Sequence, residues 1–532
     1  MTPVTPAAPV DVIVIGGGVA GLVAARECAR IGLSVTVLEG TDALGGPVAG
    51  HELAGLHLDS GTESFAVRGG TVSAFIQDLG LTEAVVSPNP VGAWLHLPAL
   101  DSRAGTAAVS VPLPKAGVLG IPGSPLADDV RAVIGWRGAL RAYLDRMMPM
   151  VTIGRAHSLG DLVRKRMGDR VLQRLVEPVA SGVYTASSVD LDVDIVAPGL
   201  NSALTKAGSL SGAVSLLRSG APAGSAVGGL CGGMSRLVST LHADLERHGV
   251  TVRTGAAVTE LRRAPEAPTA APTPAGAATP GWTVTVASPA ASSAAGSPAV
   301  APADGDDRER GGDEPATAAL VLPARFVILA TQGAQALRLL APVSAELAEL
   351  SALDWPQPTA VTLATLVLRT SVLEGHPRGT GVLVSADAPD VTAKALTHVT
   401  AKWPWVAQLA GPGREVLRLS FGRAGEPNPT DTLSDEQLQA LALRDAGTLL
   451  GVHLSADMVL GFARTDWRDA LSPATIGSRE RAEQVRARVA ATPGLGITGA
   501  WLAGTGLASV IPDAMSAAAQ IRRAALDRSD KG

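Results

Sequence analysis

Aromatic residues are scarce in this chain of 532 residues: five phenylalanines, two tyrosines and eight tryptophans, 3% in all. Cysteine is scarcer, with Cys28 and Cys231 far apart and in no metal-ligand spacing. A disulfide scaffold is thereby excluded, and a reduced, cytoplasmic compartment is expected. The nine histidines are scattered, none in H-x-E or HExxH spacing, so no metal site is expected. No run of about 18 or more apolar residues is uninterrupted, so no membrane-spanning helix is expected. The opening MTPVTPAAPV lacks a basic segment ahead of an apolar one and does not read as a targeting signal. Positive charge is not in excess either. A formal net charge of −5 argues against a nucleic-acid binder, which needs a basic face to release counterions. A local basic pocket is still compatible with it.

What is present begins at residues 11–40, DVIVIGGGVAGLVAARECARIGLSVTVLEG. A strand runs into a glycine turn, a helix, a second strand and an acid. Gly16, Gly18 and Gly21 supply G-x-G-x-x-G, with Gly17, Val19 and Ala20 between them. The first glycine permits the tight turn, the second lets backbone approach a pyrophosphate, and the third lets helix and strand pack closely. The helix N-terminus then offers free N–H groups and partial positive charge to phosphates. Glu39 ends the second strand, where a carboxylate would accept from ribose hydroxyls. The doublet Gly45–Gly46 follows, allowing a second stretch of backbone near the diphosphate, an arrangement that favours FAD over NAD. At the far end, ITGAWLAGTGLASVIPDAMSAAAQI (497–521) reads as a strand, a glycine turn and a helix starting near Pro512. That helix end would stabilise an anionic reduced flavin.

The length implies two or three domains. The fold class is α/β: a Rossmann-like FAD-binding domain, a sheet-based substrate domain and a helical subdomain. Residues 1–100, 226–340 and 481–532 are assigned to the first, 341–480 to the second and 101–225 to the third. VSAFIQDLG (72–80) predicts a helix ending at Gly80. Leu162, Val163, Met167, Val171, Leu172 and Leu175 recur at helical spacing until Pro178, which is expected to stop the run. Pro- and Ala-rich stretches, 264–280 and 288–318, read as disordered loops around WTVTVA, an expected edge strand. RFVILAT (325–331) reads as a buried strand, and TAVTLATLVL (359–368) and EVLRLSF (415–421) as strands of the second domain.

These features together resemble the amine-oxidase-like FAD superfamily. SLGDLVRKRMGDRVLQRLVEPVASGVYTASSVDLDV (158–193), GGLCGGMSRLVSTL (228–241), LTHVTAKWPW (396–405) and GLGITGAWLAGTGLASVIPDA (494–514) are similar to its protoporphyrinogen/coproporphyrinogen oxidase family. The order of the motifs carries the match across nearly the whole chain. The resemblance implies non-covalent FAD contacted by Gly61, Thr62, Glu63 and Ser64 in SGTESF, by Val258 through its backbone, by Trp467, and by Val510, Ile511 and Pro512. It implies O₂-dependent oxidation of a porphyrinogen, coproporphyrinogen III ahead of protoporphyrinogen IX, with H₂O₂ released and a ferrochelatase as the next partner. Arg68 and Lys402 are the candidate cations for substrate propionates. No acid/base residue is singled out. Two departures stand out: Pro47 follows the glycine doublet where the family has Arg or Lys, and SPAT (472–475) replaces Pro-Gln-Tyr. A carotenoid desaturase would share both ends but not VEPVASGVY; a covalent-flavin amine oxidase would want a cysteine past Cys231; a non-catalytic flavin scaffold would bind FAD without turnover. With aromatics so few, Leu, Val and Met are expected to line the substrate pocket.

Overall fold

The computed structural model describes residues 10–67, 69–100, 108–115, 117–148, 155–184, 186–219, 227–264, 281–287, 320–356, 359–471 and 474–529. The stretches assigned to disordered loops lie outside them apart from Ala264.

Val10–Ile15 is flanked in parallel by Val35–Leu38 and by Leu320–Leu329. Its Val12, Ile13 and Val14 are fully buried, the pattern of a parallel strand covered on both faces. Thr251–Arg253 extends the sheet beyond Val35–Leu38, and Leu495–Ile497 joins the far end of Leu320–Leu329, so both ends of the chain meet in one sheet. The helix Val19–Ala29 packs against the C-terminal helix Leu507–Ser529 over this sheet.

Trp282–Val286, expected at an edge, is interior: it pairs antiparallel with Val258–Arg263 on one side and with Leu320–Leu329 on the other. Its Trp282 and Val284 are completely buried. The Pro/Ala-rich flanks suggested exposure, but the apolar alternation of the strand itself decided its place.

A second, seven-stranded sheet runs Val459–Leu471, Thr359–Arg369, Arg414–Phe421, Ala395–His398, Gly381–Val384, Trp94–Pro98, Ala108–Pro112. All neighbours are antiparallel except Gly381–Val384 with Trp94–Pro98. The hairpin of 94–98 and 108–112 straddles the boundary drawn at residue 100. Helix Asp435–Leu450, opened by a capping box between Ser434 and Gln437, covers one face of this sheet.

The helical body spans Asp128–Tyr143 through Leu210–Ser219 and has its own core, including Val163, Met167, Val171 and Leu175. Pro178 does not end its run. A break at Gly168 and a π-turn at Leu172–Val176 precede it, and Glu177–Tyr184 continues as helix. The widened turn shifts the carbonyl that a proline ring would otherwise strike. The C-terminal helix likewise starts at Leu507, five residues before the expected Pro512. Pro512 thus lies inside the helix, past its free first N–H groups, and the bond that position 512 would make to the Ala508 oxygen is missing. Among the described residues no helix is long and apolar enough to cross a membrane.

Candidate functional site

The glycine turn is sterically dictated. Gly16 has φ +112°, and a Cβ there would lie 2.6 Å from the Ala330 oxygen of the neighbouring strand. A Cβ on Gly21 would lie 1.9 Å from the Gly16 oxygen, so the helix can seat against its strand only with glycine. Gly18 is different: a Cβ would meet nothing within 4 Å, because this residue faces a cavity. It is the N-cap of helix Val19–Ala29, whose first N–H groups are aimed there. Gly45 closes the turn by donating its N–H to the Gly17 oxygen at 2.9 Å.

Glu39 is held from two sides. Its Oε2 accepts the Gly17 N–H at 2.6 Å, and its Oε1 accepts both the N–H and the hydroxyl of Thr41 at 2.8 Å. Each carboxylate oxygen has about two lone pairs. Oε2 is therefore the atom left with capacity for a ligand hydroxyl.

The cavity, about 710 Å³, runs from Gly18, Val19, Ala20 and Gly45 to the second sheet. Between them lies the irregular segment Ser60–Ser64, fixed from across the cavity as well as by its own neighbours in the chain. Arg418 donates from Nη1 to the oxygens of Asp59 (3.3 Å) and Gly61 (3.0 Å) and pairs through Nη2 with Glu63 Oε2 at 2.6 Å. Lys402 pairs with Glu63 Oε1, and the Trp467 indole donates to the Ser60 oxygen at 3.3 Å. Thr62 N–H donates to the oxygen of Pro47, the residue in the usual place of a cation. Burial alone would raise the Glu63 carboxyl, but Arg418 and Lys402 overcome it and hold it at about 2. Asp59, four residues away, goes the other way. Burial raises it to about 6 even though it accepts N–H groups of Ser235 and Met234.

The structure brings Gly18, Val19, Ala20, Gly45, Gly61, Thr62, Glu63, Ser64, Lys402, Trp467 and Val510 to the lining of one cavity. Gly17 and Glu39 stand just behind it. Gly46 completes the doublet at φ +56°. Val258 is buried two residues beyond Ala256, whose N–H reaches the Glu39 oxygen, and its own oxygen accepts from Gln335. Ile511 is entirely buried in the core, and Pro512 borders a neighbouring cavity of about 760 Å³. The helix end facing the main cavity is Thr505–Leu507 instead. Arg68 lies outside the described residues. Lys402 is bound to Glu63 rather than projecting alone.

Arg418, Lys394 and Trp501 also line the cavity and were not anticipated. A charge inside LRLSF was the available signal for Arg418. Burial, with Arg423 next to it, lowers the Lys394 amine to about 7. The lining is aliphatic in the main, as expected for Val and Leu, but contains Phe65, Trp467 and Trp501 and, among the described residues, no methionine, cysteine or histidine. Nor do the described residues hold any cluster of three or more metal-ligating side chains.

These residues fit a flavin dinucleotide. The glycine cradle and helix end suit a diphosphate, Glu39 Oε2 suits a ribose hydroxyl, and the apolar middle suits a ring system. Among the described residues the buried Trp501 indole N–H has no hydrogen-bond partner, and with Trp501 on the cavity lining it offers a donor to a bound acceptor.

Known proteins agree with this geometry. Residues 19–299 match the model of the family described as flavin containing amine oxidoreductase. The chain is 28% identical over 511 residues to the coproporphyrinogen III oxidase of Mycobacterium tuberculosis (strain ATCC 25618 / H37Rv), covering 94% of this chain and 95% of the relative. It is 25% identical over 518 residues to the Bacillus subtilis (strain 168) protein of the same name, covering 95% and 96%. A solved structure from Exiguobacterium sp. 255-15, named as a candidate protoporphyrinogen oxidase, superposes with a TM-score of 0.74 at 24% identity, covering 98% of this chain and all of that one. With the family model spanning more than half of its length, the chain belongs to the flavin-containing amine oxidoreductases, and its cofactor is a flavin.

Proposed function

We propose that this protein oxidises coproporphyrinogen III to coproporphyrin III in haem biosynthesis, using non-covalent FAD and three O₂, and releasing three H₂O₂. The observation that carries the reading is the charge on the wall opposite the glycine turn. Lys402 and Arg418 stand there against a single carboxylate, Glu63, among the described lining residues, with the Lys394 amine on the same lining. A surplus of buried cations suits a polycarboxylate, and coproporphyrinogen carries four propionates. The similarity to two enzymes named coproporphyrinogen III oxidase, over nearly the full length of both, supports the same substrate.

The bound flavin would supply the two-electron acceptor for each of the three steps. The chain's own residues would do the rest. Gly16–Gly21, Gly45 and Gly46 would cradle the diphosphate, and Glu39 would take the ribose. Gly61–Ser64, Val510 and the helix end at Thr505–Leu507 would border the ring, with Trp467 behind. Val258 would act through its backbone. Absence of cysteine and histidine from the described lining favours non-covalent binding. Val361, Leu363 and Leu383 would exclude water from the apolar macrocycle. A carboxylate arriving near Lys394 would favour its protonated form. The sheet 359–471 with the hairpin 94–112 would be the substrate side, the helical body would border the access route, and the sheet built on Val10–Ile15 would be the FAD side. A cytoplasmic setting and hand-over of the product to a ferrochelatase complete the reading.

The test is aerobic turnover by the FAD-loaded protein of coproporphyrinogen III and protoporphyrinogen IX in parallel, following porphyrin fluorescence and H₂O₂. Faster use of the tetra-acid supports the assignment. Preference for the di-acid moves the enzyme to protoporphyrinogen, and bound FAD without turnover of either sinks both.

A further inference from the structure

Segment Ser60–Ser64 borders the cavity yet has no strand or helix to hold its shape. Two main-chain bonds hold it to the chain before it, Ser60 N–H to the Ala49 oxygen and Thr62 N–H to the Pro47 oxygen, and the second sheet supplies the remaining contacts. Arg418 alone makes three of the contacts, two to main-chain oxygens and one to Glu63. Lys402 takes the other Glu63 oxygen. All three side chains are largely buried, with 10%, 11% and 19% of the Arg418, Glu63 and Lys402 side chains exposed. One guanidinium and one ammonium against one carboxylate sum to +1 for these three side chains, with Asp59, whose carboxyl also feels Arg418 and Glu63, neutral below about pH 6. Screening by water is weak at such burial, so this charge is felt across the cavity.

We propose that Arg418 is a positioning residue and that the Lys402–Glu63–Arg418 cluster raises the reduction potential of the flavin bound beside it. Arg418 does this in two ways: it fixes the segment along the ring and it keeps the local charge positive, favouring the electron-rich reduced form. Glu63, held ionised by its two partners, subtracts from that charge and at the same time anchors both cations. The inference rests on a flavin occupying the cavity and not on which substrate is oxidised.

The experiment is anaerobic dye-equilibration of the flavin-loaded full-length protein and of Arg418→Met, Arg418→Lys, Lys402→Met and Glu63→Gln. At a fixed dye ratio, Arg418→Met and Lys402→Met should each lower the reduced-to-oxidised flavin ratio by about tenfold. Glu63→Gln should raise it, and Arg418→Lys should restore most of the loss. A merely loosened wall would move all four in one direction, and unchanged ratios would deny any electrostatic role; either result overturns the proposal. If Arg418→Met fails to fold, Lys402→Met and Glu63→Gln still have to shift in opposite directions. A wild-type protein that shows no flavin absorbance would instead overturn the cofactor reading itself.

Discussion

The wall of the cavity at the glycine turn is made by contiguous chain, residues 16–21 with 39 and 45, held by backbone sterics and main-chain hydrogen bonds. The opposite wall is assembled from residues 61–64, 394–397, 402, 418 and 467, held by buried charge. The first kind of wall fails when a single carbon is added at Gly16 or Gly21. The second fails when a charge loses its partner, and it responds to pH. The same cavity is thus rigid on the side expected to hold a diphosphate and adjustable on the side expected to meet a substrate.

That contrast can be broken by mutation. The largest effect is expected at Gly21→Val, where the first added carbon already falls 1.9 Å from the Gly16 oxygen. A loss on the order of 4 kcal/mol or more, with loss of flavin, should appear in urea unfolding and in absorbance near ~450 nm. A stable, yellow Gly21→Val protein would show that the turn is not sterically dictated.

Next comes Arg418→Met, which leaves Glu63 half-paired in a buried place and should cost about 3 kcal/mol. The loss from Glu63→Gln should be smaller in the Arg418→Met background than in the wild type, since the Arg418–Glu63 contact is already gone there, while Lys402 loses its Glu63 partner in both. Additive losses would mean that the pair does not act as a unit.

Asp59 and Glu63 should give opposite pH dependences. The folded-state value of Asp59, about 6, lies above its ordinary 3.8, so the folded form binds more protons in between. Its contribution is full below about pH 4 and is lost as pH rises through 6, a fall of about 2–3 kcal/mol. Glu63, about 2 against an ordinary 4.5, contributes above that ordinary value and loses its contribution as pH falls towards 2. Asp59→Asn should flatten the stability profile between pH 4 and 6, and a persisting slope would assign it elsewhere.

Glu39→Gln should weaken FAD about tenfold in calorimetric titration, because one oxygen that could receive a ribose hydroxyl is replaced by a donor. The smallest effect separates the two cysteines. Cys28, entirely buried in the helix after the glycine turn and raised to about 12, should resist a thiol reagent in the native protein, while exposed Cys231 reacts. Two fast thiols would mean that the glycine-turn helix opens readily.

Much of the fold was legible where pattern and neighbours agree. VIVI, the glycines and Glu39 announced the first sheet, and TAVTLATLVL and EVLRLSF announced the second. Legibility failed where a local signal met a tertiary override. Pro178 reads as a stop, but a π-turn absorbs it; WTVTV reads as an edge, but strands close on both sides. Pro512 reads as a helix start, although the helix begins where Gly506 ends the turn, at φ +100°. Lys402 was legible as a cation of the pocket. Its tie to Glu63, and the whole role of Arg418, were not.

By itself, then, the sequence determined the wall formed by chain neighbours. Glycine sterics and a helix N-terminus act within a few residues of one another, so their spacing already encodes the geometry. Only the tertiary structure decided the facing wall. Glu63 and Lys402 are 339 residues apart, and which cation meets which carboxylate depends on strand order and register in the second sheet. Coulomb attraction selects partners by distance in space, and no periodicity along the chain records it.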